Sequence, residues 1–158
     1  MSHFMGPLLV SLAATMAAML PGYASAKVVS RLGQAATGIL AEDPSLFGKL
    51  VILQALPGTQ GIYGLLGWFI IMNQSGMMAG NTEISLQQAL LFLLAALPIS
   101  VIGFLSAFHQ GKVAESGMAL LTKQPQTSGN SIVLAVMVET YAILALLASI
   151  LGALSITV

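Results

Sequence analysis

Four long apolar stretches separated by short polar breaks organise the 158 residues. They run from Met5 to Ala26, from Leu50 to Asn73, from about Gln88 to Phe108 and from Ser131 to about Thr157. A helix needs about 20 predominantly apolar residues to cross a bilayer, and each stretch supplies that length. The breaks carry turn chemistry. Ala41-Glu-Asp-Pro-Ser-Leu-Phe-Gly48 holds two acids, a proline and a glycine, Gln74 to Gln87 is polar and glycine-containing, and Thr122 to Asn130 again holds a proline and a glycine. The pattern predicts an all-α membrane protein: four transmembrane helices in two fused helical hairpins, about 5–73 and 88–157, forming a single membrane domain over 1–158. Residues after Ile156 are expected to fray.

Three finer patterns add to this picture. Ala14, Ala18, Gly22, Ala26 and Ser30 recur every four residues, as do Gly103, Ala107 and Gly111, so the first and third helices are expected to carry small-residue ridges for close packing. Pro21-Gly22 is a candidate bend. Pro44 and Gly48 recur as Pro125 and Gly129, an offset of 81 residues that marks a weak internal repeat. At that offset Gly58 stands where the second hairpin has Glu139, which leaves one membrane carboxylate for each pair of hairpins.

Composition and charge narrow the class. The chain is 57% hydrophobic and 6% charged, whereas soluble domains carry about 25% charged residues. Five basic and five acidic residues balance without forming a patch, so nucleic acid is not an expected partner. The lack of cysteine excludes disulfides, thiolate metal sites and cysteine nucleophiles. Ala24-Ser25-Ala26 looks like a signal-peptidase site, but only His3 precedes the first apolar run while Lys27 and Arg31 follow it, the reverse of a signal peptide. Lys27, Arg31, Lys49, Lys112 and Lys123 all flank the 41–48 and 122–129 turns, which the positive-inside rule places in the cytoplasm of a multi-pass cell-membrane protein. Both termini and the loop holding Glu83 are then expected outside.

The candidate chemistry centres on Glu139. A carboxylate in the middle of a membrane helix costs about 2.5–3.5 kcal/mol on insertion scales and reads as functional by default. Leu56, Thr59, Gln60 and Tyr63 stand at i, i+3, i+4 and i+7, on one helical face. Pro57 lacks an N–H and can leave a carbonyl near that face free. Thr59, Gln60 and Glu139 each lie about ten residues past their turn, roughly 15 Å at 1.5 Å per residue, and Gln110 is at a similar height. Together they would collect two amide oxygens, a hydroxyl, a carbonyl and a carboxylate, an oxygen cage suited to a hard cation. One carboxylate cannot neutralise a divalent ion inside a bilayer, and a proton carrier needs no extra oxygens, so Na+ is favoured over H+. Gln54 reads as an ordinary interhelical hydrogen-bonding group. His109 adjoins Gln110, but two distant histidines do not make a zinc site. No phosphate-binding glycine loop is present.

Leu56-Pro-Gly-Thr-Gln-Gly-Ile-Tyr-Gly64, His109-Gln-Gly-Lys-Val113 and Met137-Val-Glu-Thr-Tyr-Ala-Ile-Leu144 closely resemble the rotor-ring proteolipids, subunit K, of bacterial sodium-transporting V-type ATPases. The likeness covers essentially the whole chain. It implies a ring of identical copies, with the first and third helices inside and the second and fourth outside, turned by ATP hydrolysis on other subunits. It also implies Na+ as the transported ion, held by the Leu56 carbonyl and the side chains of Thr59, Gln60, Gln110 and Glu139, with Tyr63 hydrogen-bonded to the glutamate. The implied partners are other copies, lipid, a stator membrane subunit supplying an arginine, and central-stalk subunits at the 41–48 and 122–129 turns. Three other readings fit the bare pattern: the same rotor carrying H+, a small multidrug-type carrier binding cations on Glu139, and a structural tetraspan protein.

Overall fold

The computed structural model describes residues 2–157; Met1 and Val158 lie outside the described residues. Five α-helices follow one another as α1 (Ser2–Glu42), α2 (Phe47–Ala55), α3 (Thr59–Gln74), α4 (Leu86–Lys123) and α5 (Ser128–Leu154). A single 3-10 turn, Leu56–Gly58, joins α2 to α3, so these two form one crossing. Four segments are long and apolar enough to span a membrane: Phe4–Glu42, Pro44–Gln74, Leu86–Lys123 and Pro125–Leu154. Helices α1 and α4 extend well beyond their apolar runs, to Glu42 and Lys123, because Lys, Arg, Gln and Glu are good helix formers and the chain turns only at Pro44 and Pro125.

The repeat reappears in three dimensions. Pro44–Leu46 and Pro125–Thr127 are 3-10 turns at equivalent positions of the two hairpins. In the first, the Asp43 carboxylate accepts from the Ser45 N–H at 2.9 Å and its hydroxyl at 2.6 Å. These bonds hold the Asp43 carboxyl below the usual carboxylate range. Lys49 Nζ donates to the Pro125 carbonyl at 2.9 Å, tying the two turns together at one end of the bundle. At the other end the connection 75–85 folds between two left-handed glycines, Gly76 (φ 72°) and Gly80 (φ 85°), and Ser85 and Gln88 close a capping box that starts α4. Ile156 and Thr157 are held more firmly than the pattern suggests. Gln74 Nε2 donates to the Ile156 carbonyl at 3.1 Å and Gln88 Nε2 to that of Thr157 at 2.9 Å, so the fraying expected after Ile156 is not seen at Thr157.

The crossings pack with α1 most extensively on α4, α4 on α5, and α1 on α3, while α3 meets α5 along a narrower seam. The buried stripe of α1 runs Val10, Ala13, Ala14, Ala17, Pro21, Ala24, Val28 and Leu32. That differs from the expected ridge: Ala14 is buried, but Ala26 and Ser30 are exposed and a Cβ on Gly22 would meet open space. The reason is geometric, since each four-residue step overshoots one turn by about 40° and winds the ridge off the packed face. In α4, Gly103, Ala107 and Gly111 are all buried against the bundle. Helix α1 continues through Pro21, whose ring is buried where Gly64 and Gly103 leave room; a Cβ on either would stand 3.0 Å from Pro21 Cγ.

The apolar core is divided. One cluster gathers Val10, Ala17, Ile71, Phe92, Ile99 and Leu146, and the other gathers Val28, Leu32, Leu53, Ala114, Met118 and Ala135. On every crossing the stretch between the two clusters holds a polar residue: Ser25 on α1, Gln60 on α3, Ser106 and Gln110 on α4, and Glu139 on α5. These buried polar side chains thus form a layer across the middle of the bundle.

Close approach at Gly64 should be needed for this packing, because an added Cβ would stand 2.5 Å from the Ala17 carbonyl oxygen. Gly64→Ala is expected to destabilise the fold by about 1–3 kcal/mol. Gly38→Ala, which faces open space, should leave it unchanged or stabilise it by up to about 1 kcal/mol. Thermal unfolding in detergent, followed by helical circular dichroism, checks both; equal midpoints for the two variants would contradict the packing.

Candidate ion site

Glu139 faces inward because of what surrounds it on α5. Ser131, Ala135, Ala142, Ala145, Ser149 and Ala153 share its stripe, and these small residues let α4 approach closely. The opposite face of α5 carries Val133, Met137, Tyr141, Leu144 and Leu151, all exposed and apolar or aromatic. Glu139 is 7% exposed, and Gln60 and Gln110 are fully buried.

The second crossing reaches this level through Pro57. With no N–H on Pro57, the α2 ladder cannot continue and the chain tightens into the Leu56–Gly58 turn before α3 begins. The Leu56 carbonyl accepts the Thr59 backbone N–H and also the Thr59 hydroxyl, at 2.9 Å. The carbonyl is therefore engaged rather than free, but the Thr59 proton is spent on it. The lone pairs of the hydroxyl oxygen remain available, 3.4 Å from Gln60 Oε1.

Three helices then converge on one carboxylate. Tyr63 Oη on α3 donates to Glu139 Oε1 at 2.6 Å, and Gln110 Nε2 on α4 donates to Oε2 at 3.3 Å. Gln60 Nε2 donates to Gln110 Oε1 at 2.6 Å and to Ser106 Oγ at 3.4 Å, and Ser106 donates in turn to the Val138 carbonyl at 3.2 Å. Glu139 thus has a donor on each oxygen, and a buried carboxylate is tolerable only with such partners. Thr59, Gln60, Tyr63, Gln110 and Glu139, the side chains expected at the site, all lie in this layer. Gln110, expected to offer an oxygen, presents its nitrogen to the carboxylate, while its oxygen faces Gln60. Among the described residues no three His, Cys, Asp or Glu side chains come together, so the layer is one acid among neutral groups.

Ser106 and Ser25 escaped the reading of the sequence. Ser25 Oγ accepts the Gly61 N–H at 2.9 Å, bridging α1 to α3. The signal was there: the two serines are separated by the repeat offset, and Ser106 stands one turn before Gln110. His109 is exposed and lines a cleft of about 340 Å³ with Ile102, Leu105, Ser106, Val138 and Tyr141, outside the carboxylate network. Gln54 hydrogen-bonds the Val29 carbonyl at 3.4 Å, away from the site.

The described residues thus form a duplicated membrane hairpin with one buried acid, on the second hairpin, the plan of a helical multi-pass membrane protein. The chain belongs to the ATP synthase C-subunit family, which matches it twice, over residues 12–71 and 93–152. The second match begins at 93 where the first begins at 12, the same offset as the paired proline turns. It is 42% identical over 146 residues to the V-type sodium ATPase subunit K of Enterococcus hirae, spanning 92% of this chain and 90% of that one. It is also 38% identical over 128 residues to the A-type ATP synthase subunit K of Methanocaldococcus jannaschii, spanning 78% of this chain and 56% of that one. The protein is a multi-pass rotor proteolipid of a V/A-type ATPase complex, itself non-catalytic and serving ion transport. Membership in this family excludes the multidrug-carrier and structural-tetraspan readings.

Removing the Tyr63 hydroxyl should leave Oε1 of Glu139 without its shorter donor. Tyr63→Phe is expected to speed modification of Glu139 by a hydrophobic carbodiimide about tenfold in ion-free buffer, the order of one hydrogen bond to a charged group. Mass spectrometry of the modified chain checks this; an unchanged rate would show that the bond does not shield the carboxylate.

Proposed function

We propose that this chain, as a single membrane domain, is the Na+-carrying element of a rotor ring. The transported ion is bound by Glu139, the side chains of Thr59, Gln60 and Gln110, and the Leu56 carbonyl, with Tyr63 holding the closed site. The observation that carries the reading is the buried layer itself: one carboxylate that shares its level with two buried amides and the hydroxyls of Thr59, Tyr63 and Ser106, more polar groups than a proton carrier requires. The name of the Enterococcus hirae relative, a sodium ATPase subunit, supports the same ion.

Mechanistically, charge decides when the ring can turn. An empty, ionised Glu139 cannot leave its donors for lipid without a large desolvation penalty, whereas Glu139 paired with one Na+ is neutral overall. A cation entering the layer takes Oε2 from the Gln110 N–H. It also finds the second lone pair of Gln110 Oε1, the oxygen of Gln60 and the lone pairs of Thr59, whose proton is already directed to Leu56. A stator arginine stabilises the carboxylate at the moment it is emptied, and ATP hydrolysis on other subunits supplies the torque. Identical copies and lipid complete the ring. The 41–48 and 122–129 turns face the cytoplasm, where the central stalk meets them, and both termini lie outside; the basic residues around those turns support this orientation.

Two outcomes test the ion. Na+ should protect Glu139 from a hydrophobic carbodiimide in native membranes, and protection should weaken toward low pH as protons compete for the same oxygen. Labelling indifferent to Na+ at every pH would replace sodium by the proton. Gln110→Leu, similar in size, should raise the Na+ concentration for half-protection by about tenfold or more while the ring still assembles. An unchanged concentration would remove Gln110 from the site.

A further inference from the structure

We infer that Ser106 is the positioning residue that fixes which way the Gln60 amide faces, and thereby keeps the Gln60 oxygen turned toward the ion. The inference rests on the sodium reading above and goes beyond it, because Ser106 itself is not among the proposed ligands. Its hydroxyl is buried, with the residue 4% exposed, and touches two neighbouring helices. It donates its only proton to the Val138 carbonyl of α5 at 3.2 Å. What it offers to Gln60, at 3.4 Å, is therefore lone pairs alone.

Only the nitrogen of an amide suits such a neighbour. Gln60 accordingly turns Nε2 toward α4, where its two protons serve Ser106 Oγ and Gln110 Oε1, and leaves Oε1 on the side of Thr59. A reversed Gln60 would set its oxygen against two acceptors. Reversing Gln110 as well would only move the conflict, because its oxygen would then face Oε2 of Glu139. The amide directions are thus locked at two ends, by the Val138 carbonyl acting through Ser106 and by the Glu139 carboxylate. When a cation occupies the carboxylate, the Glu139 end is released. Ser106 is then the anchor that remains.

The first hairpin provides an internal comparison. Ser25, at the equivalent position, is also buried and also bridges to α3, but it accepts a backbone N–H from Gly61 at 2.9 Å. A serine at this level thus serves as an acceptor facing the second crossing in both repeats. Only in the repeat with the glutamate does it govern a side chain of the site.

The test uses the assembled ATPase in its membrane and reads the Na+ concentration that half-protects Glu139 from a hydrophobic carbodiimide. Ser106→Ala should raise that concentration about tenfold, leaving labelling in the absence of Na+ unchanged. Ser106→Thr keeps the hydroxyl and borders the open cleft beside Ile102 and His109, so it should restore half-protection to within about twofold of the natural protein. In a Gln60→Ala background, Ser106→Ala should add nothing, because its effect passes through Gln60. Failure of Na+ to protect the natural protein would overturn the sodium reading and this inference with it. Normal protection together with an unaffected Ser106→Ala, or an equal further loss on Gln60→Ala, would overturn the role of Ser106 alone. If Ser106→Ala does not assemble, Ser106→Cys, of similar size but a weaker hydrogen-bonding group, should need several-fold more Na+. Natural half-protection in that variant would equally overturn the inference.

Discussion

The constraint on which the structure depends is a single carboxylate that must stay solvated inside a bilayer by protein groups alone. Glu139 sits in a polar layer between two apolar half-cores, with Tyr63 on one oxygen and Gln110 on the other. Burying it demands donors from two other crossings, and bringing those crossings within reach demands small residues on the facing stripes. The alanines around Glu139, the buried Gly103–Ala107–Gly111 ridge and the seat of Pro21 between Gly64 and Gly103 all answer that demand. Two hydrogen bonds hold the carboxylate, in a layer whose other oxygens retain free lone pairs.

Duplication explains how one chain carries one charge. The two hairpins share their proline turns and their bridging serines, and each matches the same family over a stretch of its own. They differ at the acid and its surroundings together. Gly58 replaces Glu139, and the Cβ it lacks would meet Val29 Cγ2 at an ordinary 3.7 Å, where the second hairpin has Gln110 beside its acid. Leu144 stands in the second repeat where the first has Tyr63. The first hairpin thus lacks the acid and the amide side chain next to it, yet supplies Tyr63 to the acid of the second and Gln60 to the Gln110 beside that acid. The site belongs to the pair and could not be completed by either hairpin alone.

Much of this was legible in the sequence because membrane helices declare themselves by length and apolarity, and because an intramembrane acid has few innocent explanations. The four crossings, the duplicated turns and the depth of Thr59, Gln60, Gln110 and Glu139 all follow from counting residues. Rotation about the helix axis was less accessible. The four-residue ridge of the first helix reads as a continuous packing face, but 3.6 residues per turn carries Ala26 and Ser30 off it. Hydrogen-bond direction was not accessible at all. Nothing in the order of residues says that Gln110 turns its nitrogen rather than its oxygen to Glu139, or that Ser106 spends its proton on Val138, since both depend on which groups of other helices stand opposite.

If the layer is one cation site per four-helix chain, equilibrium binding of radioactive 22Na+ to the purified ring measures the claim most directly. The expected result is saturation at one Na+ per chain, abolished by Glu139→Gln. Binding of two ions per chain, or of one ion that survives loss of the carboxylate, would contradict it.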